Sequence, residues 1–166
     1  MDKYLLDTNI YIDCYDRFYL PEHFPTFWEN FKNHLNDFVV IPRVVLDEIK
    51  KNTWFKEWVE EYFTSDIINH IDYAEEFAQV LAHIQVQDHY TDDVLTNWAR
   101  EKIADTWLLA IAKKEKFIIV TEERSNDNLH RNADPSKKAK IPDVAKELGI
   151  ECINRNEFFA RVDLRV

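Results

Sequence analysis

Four short apolar runs constrain the fold of this chain. They are Lys3-Tyr4-Leu5-Leu6, Phe38-Val39-Val40-Ile41, Lys116 to Thr121, and Glu151-Cys152-Ile153-Asn154, and they carry little polar alternation. Strands with one solvated face alternate apolar and polar residues, whereas strands covered on both faces do not. Each run is therefore predicted as a buried strand. Helical patterns lie between them. From Asn69 to Gln87, the residues Ile71, Ala74, Phe77, Ala78, Leu81 and Ile84 recur at helical spacing. A second, strongly apolar helix is predicted from about Ile103 to Lys114, and Pro142 with Gly149 brackets a short third one. Strands joined through helices need crossover connections, and hence a parallel sheet. The expected architecture is one α/β domain over residues 1–166, with three α/β/α layers, four or five parallel strands, and a long helical insert between the second strand and the third.

The chain of 166 residues is 46% hydrophobic, with 5 Trp, 7 Tyr and 11 Phe, enough apolar surface for one substantial core and against a disordered state. No apolar run approaches the ~18 residues that a membrane helix needs. Met1 to Asp7 has neither the length nor the flanks of a secretory signal, so a cytoplasmic protein with no membrane association is expected. Cys14 and Cys152 are far apart and fit reduced, packed thiols. Gly149 is the single glycine. Dinucleotide-binding and P-loop phosphate cradles need several, so both are excluded. A paired-His zinc helix and a Gly-flanked serine nucleophile are also missing. The chemistry is left to carboxylates.

The formal charge is -10, which disfavours a simple basic clamp on nucleic acid. The charge is uneven, however. Between Lys113 and Lys140 stand eight basic and five acidic residues, a local excess of +3 that includes Arg124, Lys137, Lys138 and Lys140. A nucleic acid could approach from that side, and a solvated lysine-rich loop explains the same pattern equally well.

Several acids occupy positions where ligands gather. Asp7 closes the first predicted strand, at the carboxyl end where open parallel sheets bind ligands. Capping the next helix is the more ordinary role for an Asp there, although Thr8 or Asn9 could cap equally well. On a helical wheel for Val44 to Ile49, Val45, Leu46 and Ile49 point inward, Asp47 points outward and Glu48 borders the core. A carboxylate on that border needs a partner, either a basic side chain or a metal. Asp105 opens the apolar helix one turn before Leu108 and Leu109, where the helix dipole alone would favour an acid. Glu122 and Glu123 follow Thr121 at the end of the third predicted strand. Several carboxylates converging on one sheet edge cannot all stay ionised without a cation. Oxygen-only ligation of that kind suits Mg2+ or Mn2+ better than zinc.

In order, Leu5-Leu6-Asp7-Thr8-Asn9, Val44-Leu46-Glu48-Ile49, Ala104-Asp105-Leu108-Ala110-Ala112 and Val120-Thr121-Glu123 resemble the motifs of PIN-domain nucleases. Lys140-Ile141-Pro142-Asp143-Val144 fits a PIN-like subfamily described only as a domain of unknown function. The resemblance spans nearly the whole chain and implies a PIN-like, Rossmann-like fold. It also implies that Asp7, Glu48 and Asp105 hold metal. The family's fourth acid, usually Asp, falls here on the longer Glu123, with Asp143 as a substitute or extra ligand. Thr8 and Asn9 take the small polar positions beside the first acid, and Thr121 and Glu122 flank the fourth.

The resemblance further implies a Mg2+- or Mn2+-dependent ribonuclease that leaves a 5'-phosphate and a 3'-hydroxyl, with Arg124, Lys137, Lys138 and Lys140 guiding the RNA backbone. A toxin held inactive by an antitoxin protein is a second expectation. The competing one is a catalytically degenerate PIN-like module that binds RNA or acts as a scaffold. A phosphatase with an aspartyl nucleophile requires a second Asp two residues after the first, where this chain has Asn9. Family analogy and Trp28, Trp54, Trp58 and Trp98 raise a homodimer, although the same tryptophans could equally be core.

Overall fold

The computed structural model describes residues 1–49 and 52–166. Strand β1 (Tyr4–Leu6) leads directly into α1 (Thr8–Asp13), which continues as a π-helical turn over Cys14–Phe18. Next come α2 (Pro25–Phe38), α3 (Arg43–Glu48), α4 (Thr53–Tyr62), a 3-10 turn at His70–Tyr73, α5 (Ala74–Gln85) and α6 (Asp92–Trp98). Helix α7 (Ala104–Glu115) delivers the chain to β2 (Ile118–Val120), and α8 (Ile141–Glu147), β3 (Cys152–Ile153) and α9 (Arg155–Arg161) complete the order.

The strands form a parallel sheet in the order β1-β2-β3, with Leu6 beside Val120 and Val120 beside Ile153. Every residue of β1 and β2 is buried, which is why their sequences show no alternation. One ladder bond beyond the strands, Asp7 N–H donates to the Val120 carbonyl and Thr121 N–H to the Ile153 carbonyl, both near 3 Å. These bonds hold Asp7 and Thr121 side by side at the carboxyl end of the sheet.

Among the described residues the sheet is smaller than the four or five strands expected. The run Phe38 to Ile41 does lie beside β1, where Val39 makes a single parallel bridge to Tyr4 and Val40 N–H donates to the Tyr4 carbonyl at 2.9 Å. It forms no longer ladder. Phe38 is the last residue of α2, Val39 N–H is spent on the helical carbonyl of Leu35, and Pro42 has no N–H to give.

The helix expected over Asn69–Gln87 begins later, at Ala74, after the 3-10 turn. That turn changes the phase of the apolar stripe. Val80 and Ile84 are buried and Phe77 stacks on Trp107 at 4.1 Å, while Ile71 is 43% exposed and Ala74 and Ala78 face solvent. Helix α7 matches its apolar sequence, with Trp107 through Ala112 all buried. Helix α8 closes on a Schellman motif: Gly149, at φ 71°, donates to Lys146, and Ile150 donates to Ala145.

The tryptophans considered for a dimer face belong to the interior. Trp28, Trp58 and Trp98 are buried and Trp54 is half-buried. Trp28 sits edge-on to both Trp54 and Trp58, and Phe55 packs against Tyr11, Tyr15 and Trp58, so α2 and α4 share an aromatic core with the start of the chain. Both cysteines are free, with Cys14 buried and Cys152 partly so.

Candidate active site

Asp7 occupies the N-cap position of α1 but makes no side-chain cap bond there. Its Oδ2 instead accepts a hydrogen bond from Thr121 Oγ1 at 2.9 Å, across from the end of β1 to the end of β2. The side chain is only 6% exposed. Burial pushes its pKa from 3.8 to about 6, against the Thr121 bond, with Glu123 and Glu48 adding like-charge repulsion.

Thr8 does not cap the helix with its hydroxyl either. Thr8 Oγ1 donates to Glu48 Oε1 at 2.7 Å, linking the start of α1 to the last residue of α3. Glu48 is half-buried beside buried Val44 and Val45, and Asp47 is exposed, as the helical wheel requires. Burial raises its pKa, opposed by the Thr8 bond and by the backbone N–H of Ala104. That amide belongs to the first residue of α7, so Glu48 stands between the starts of α1 and α7.

Asp105, in the first turn of α7, is half-buried. Burial first, and then the charges of Asp7, Glu123 and Glu48, push its pKa from 3.8 to about 7. The four acids therefore share one electrostatic environment at the carboxyl end of the sheet. Among the described residues, no lysine, arginine or histidine forms an ion pair with Asp7, Glu48 or Asp105. The convergence is looser than expected from the sequence. No three of these carboxylates bring an oxygen each within 4.8 Å of one another, which fits like charges that repel.

Glu123 follows β2, and its backbone N–H is fixed by Thr121 Oγ1 at 3.1 Å, so one hydroxyl orients both Asp7 and the residue two positions on. Its carboxylate accepts from Ile141 N–H at 3.3 Å and faces Lys140 Nζ at 3.6 Å. Glu122 turns away, because its Oε1 accepts from the Arg155 N–H at the first turn of α9. Asp143 Oδ2 accepts from Asn126 N–H at 2.9 Å, which ties the loop after β2 to the first turn of α8. Asn9 is exposed on α1. Arg124, Lys137 and Lys138 are exposed on that same loop, and Lys140 is 40% exposed while paired with Glu123.

A family model described as Domain of unknown function (DUF4411) matches residues 4–166. The chain belongs to the DUF4411 family. None of the curated proteins matches it. Among solved structures, the DUF4411 chain is similar to a chain in the crystal structure of VapBC2 from Rickettsia felis bound to a DNA fragment from their promoter. The identity is 14%, the match covers 91% of this chain and 97% of that one, and the TM-score is 0.46. A likeness that distant carries no argument about the site.

One further cluster in this DUF4411 chain has no signal in the sequence. His83 and His89 face opposite oxygens of Glu147, Tyr90 donates to the same carboxylate, and His130 lies against the His89 ring. No local spacing announces this group, since His83 and His89 lie 64 and 58 residues from Glu147 in the chain. Cys152, in the edge strand β3, is held protonated, with burial and the nearby Asp7 and Glu123 pushing its pKa to about 12. Such a thiol is not a nucleophile.

Proposed function

We propose that this protein is a Mg2+- or Mn2+-dependent ribonuclease acting at the acidic end of its sheet. One observation carries the reading: Asp7 and Asp105, both raised well above the ordinary carboxylate range, have no basic ion-pair partner among the described residues. A carboxylate withdrawn from water without an opposite charge beside it is costly, so a structural role alone accounts poorly for two of them. A donor set made only of carboxylate oxygens fits a hard dication.

In this reading Asp7, Glu48, Asp105 and Glu123 would hold the ion. When bound, Mg2+ or Mn2+ supplies charge that polarises a phosphate and makes water a better nucleophile. Thr121 keeps Asp7 and the Glu123 backbone in place, and Thr8 does the same for Glu48. Asp143 is assigned to anchoring the loop through Asn126, and Glu122 to the start of α9. Exposed Arg124, Lys137 and Lys138 draw the phosphate backbone towards an otherwise acidic surface. The resemblance to PIN-domain nucleases supplies RNA as the substrate class and products with a 5'-phosphate.

The test uses purified protein with structured and unstructured RNAs, with Mn2+ or with chelator. Cleavage should require the ion and be lost in Asp7→Asn and Asp105→Asn. Equal cleavage by these variants would overturn the reading. Calorimetry with Mn2+ separates the enzyme from a degenerate scaffold, which should bind no ion that Asp105→Asn removes. The antitoxin partner belongs to the same proposal. Expression alone should arrest growth in a manner abolished by Asp7→Ala, and harmless expression of an active nuclease would remove the toxin part while leaving the nuclease.

A further inference from the structure

Away from the strand-end carboxylates, side chains from three distant segments meet on one face. His89 lies in the connection between α5 and α6, His130 in the loop after β2, and Glu147 at the last residue of α8. Each offers one ligand-competent atom, and those atoms lie within 4.8 Å of one another. Glu147 Oε2 is 3.0 Å from His89 Nε2 and accepts from Tyr90 OH at 2.9 Å. Its other oxygen, Oε1, is 2.9 Å from His83 Nε2. The His130 ring sits edge-on to His89, with centroids 4.7 Å apart.

A self-satisfied hydrogen-bond network would account for part of this arrangement. Glu147, His83, His89 and Tyr90 already partner one another, and the side chains of His83, His89 and Glu147 are less than about a quarter exposed. It does not account for His130. This exposed side chain makes no hydrogen bond among the described residues, yet it holds its ring against His89 and lines an open cleft of ≈ 450 Å³ together with Glu147.

We propose that His89, His130 and Glu147 bind a zinc-class dication, with His83 and Tyr90 holding the Glu147 carboxylate from behind. Two imidazoles and one carboxylate make a three-ligand zinc set that leaves one position for water. Imidazole nitrogen favours zinc over the magnesium and manganese expected at an all-carboxylate site. Zinc bonds of ~2.0–2.1 Å require ligand atoms roughly 3.3 Å apart in a tetrahedron. His89 Nε2 and Glu147 Oε2, at 3.0 Å, are close to that spacing, and the exposed His130 ring would have to rotate to close the remainder. The hydrogen bonds from His83 and Tyr90 to the carboxylate are the outer contacts that orient a ligand of this kind.

The ion would staple the loop after β2 to the body of the protein. That loop is already stitched to the His89 segment, since Ser136 N–H donates to the His89 carbonyl at 2.8 Å and Thr91 N–H to the Ser136 carbonyl at 3.0 Å. It is also the segment that carries Glu123 and Arg124. The proposed ligands share no residue with the strand-end acids, so the inference stands whether or not the protein cleaves RNA.

The experiment titrates the chelator-stripped full chain with Zn2+ by calorimetry and with Co2+ by visible absorption. Wild type, Asp105→Asn, His130→Ala and His130→Cys are compared. Beyond any ion taken up by the strand-end acids, wild type and Asp105→Asn should share one zinc site of similar affinity and give the ligand-field bands of low-coordinate cobalt. His130→Ala, at an exposed position, should bind more than about 100-fold more weakly and lose those bands, whereas His130→Cys, which keeps a ligand, should retain them. Zinc should also slow tryptic cleavage after Arg131, Lys137 and Lys138 in wild type and not in His130→Ala. Absence of zinc binding in wild type, equal affinity in His130→Ala, or loss in Asp105→Asn alone would each overturn the proposal.

Discussion

Thr121 Oγ1 donates to Asp7 Oδ2 at 2.9 Å while accepting from Glu123 N–H at 3.1 Å. One hydroxyl therefore joins the ends of β1 and β2 and sets the register of two acids. Both bonds need the oxygen, and neither needs the methyl group.

Thr121→Val keeps the shape and removes the oxygen. It should weaken Mn2+ binding roughly 10–100-fold, the range for loss of a contact that orients a metal ligand, and lower cleavage with it. Thr121→Ser should restore both. Calorimetry and RNA cleavage on the three proteins measure this, and a fully active valine variant would remove Thr121 from the site.

The metal-free protein should lose stability as pH rises from about 4 to about 7. Asp7 and Asp105 hold their protons more tightly when folded, at about 6 and about 7 against 3.8. The stability they contribute is complete below 3.8 and is lost as pH climbs through 6 and 7. Asp105→Asn removes the larger of the two penalties, so at pH 8 it should stabilise the chelated protein by roughly 1–3 kcal/mol while abolishing cleavage. Thermal melts across pH in chelator test this. A variant less stable than wild type at pH 8 would contradict it.

Much of this site was legible because its signals are local. Asp7 sits one residue past an apolar run, and the wheel from Val44 to Ile49 separates an outward Asp47 from a bordering Glu48. Adjacent acids were not separable in that way: Glu122 and Glu123 differ only in which partner, Arg155 N–H or Ile141 N–H, the fold brings to each. The strand expected at Phe38–Ile41 failed because α2 extends to Phe38 and takes the Val39 amide, a competition between helix and sheet that an apolar run does not encode. The Glu147 cluster was silent for another reason. Each histidine is unremarkable where it stands, and only the fold, which brings α5, the segment after it and the loop after β2 to the end of α8, gives it company.

Phe55 is fully buried and packs against Tyr11, Tyr15 and Trp58. Phe55→Ala should cost about 3–5 kcal/mol of stability by leaving a cavity between α4 and α1. Because α1 carries Thr8 and follows Asp7, the loss should also weaken metal binding. Urea unfolding measures the first effect, and a change below about 1 kcal/mol would mean that the aromatic core collapses around the gap.

Arg124 and Lys140 divide the basic loop into a charge free to meet RNA and a charge already engaged. Lys140 Nζ lies 3.6 Å from Glu123 Oε1, whereas Arg124 is exposed and forms no ion pair among the described residues. A side chain that neutralises one phosphate of a single strand contributes about 0.7 to the slope of log affinity against log salt. Arg124→Ala should therefore weaken RNA binding regardless of sequence and flatten that slope by about 0.7. Lys140→Ala should change the slope less, because removing it also frees the negative charge of Glu123, and its main effect should fall on metal affinity. Binding is measured over a salt series in Ca2+, with Asp105→Asn as background to prevent cleavage. Equal slopes for Arg124→Ala and wild type would place the RNA on another face.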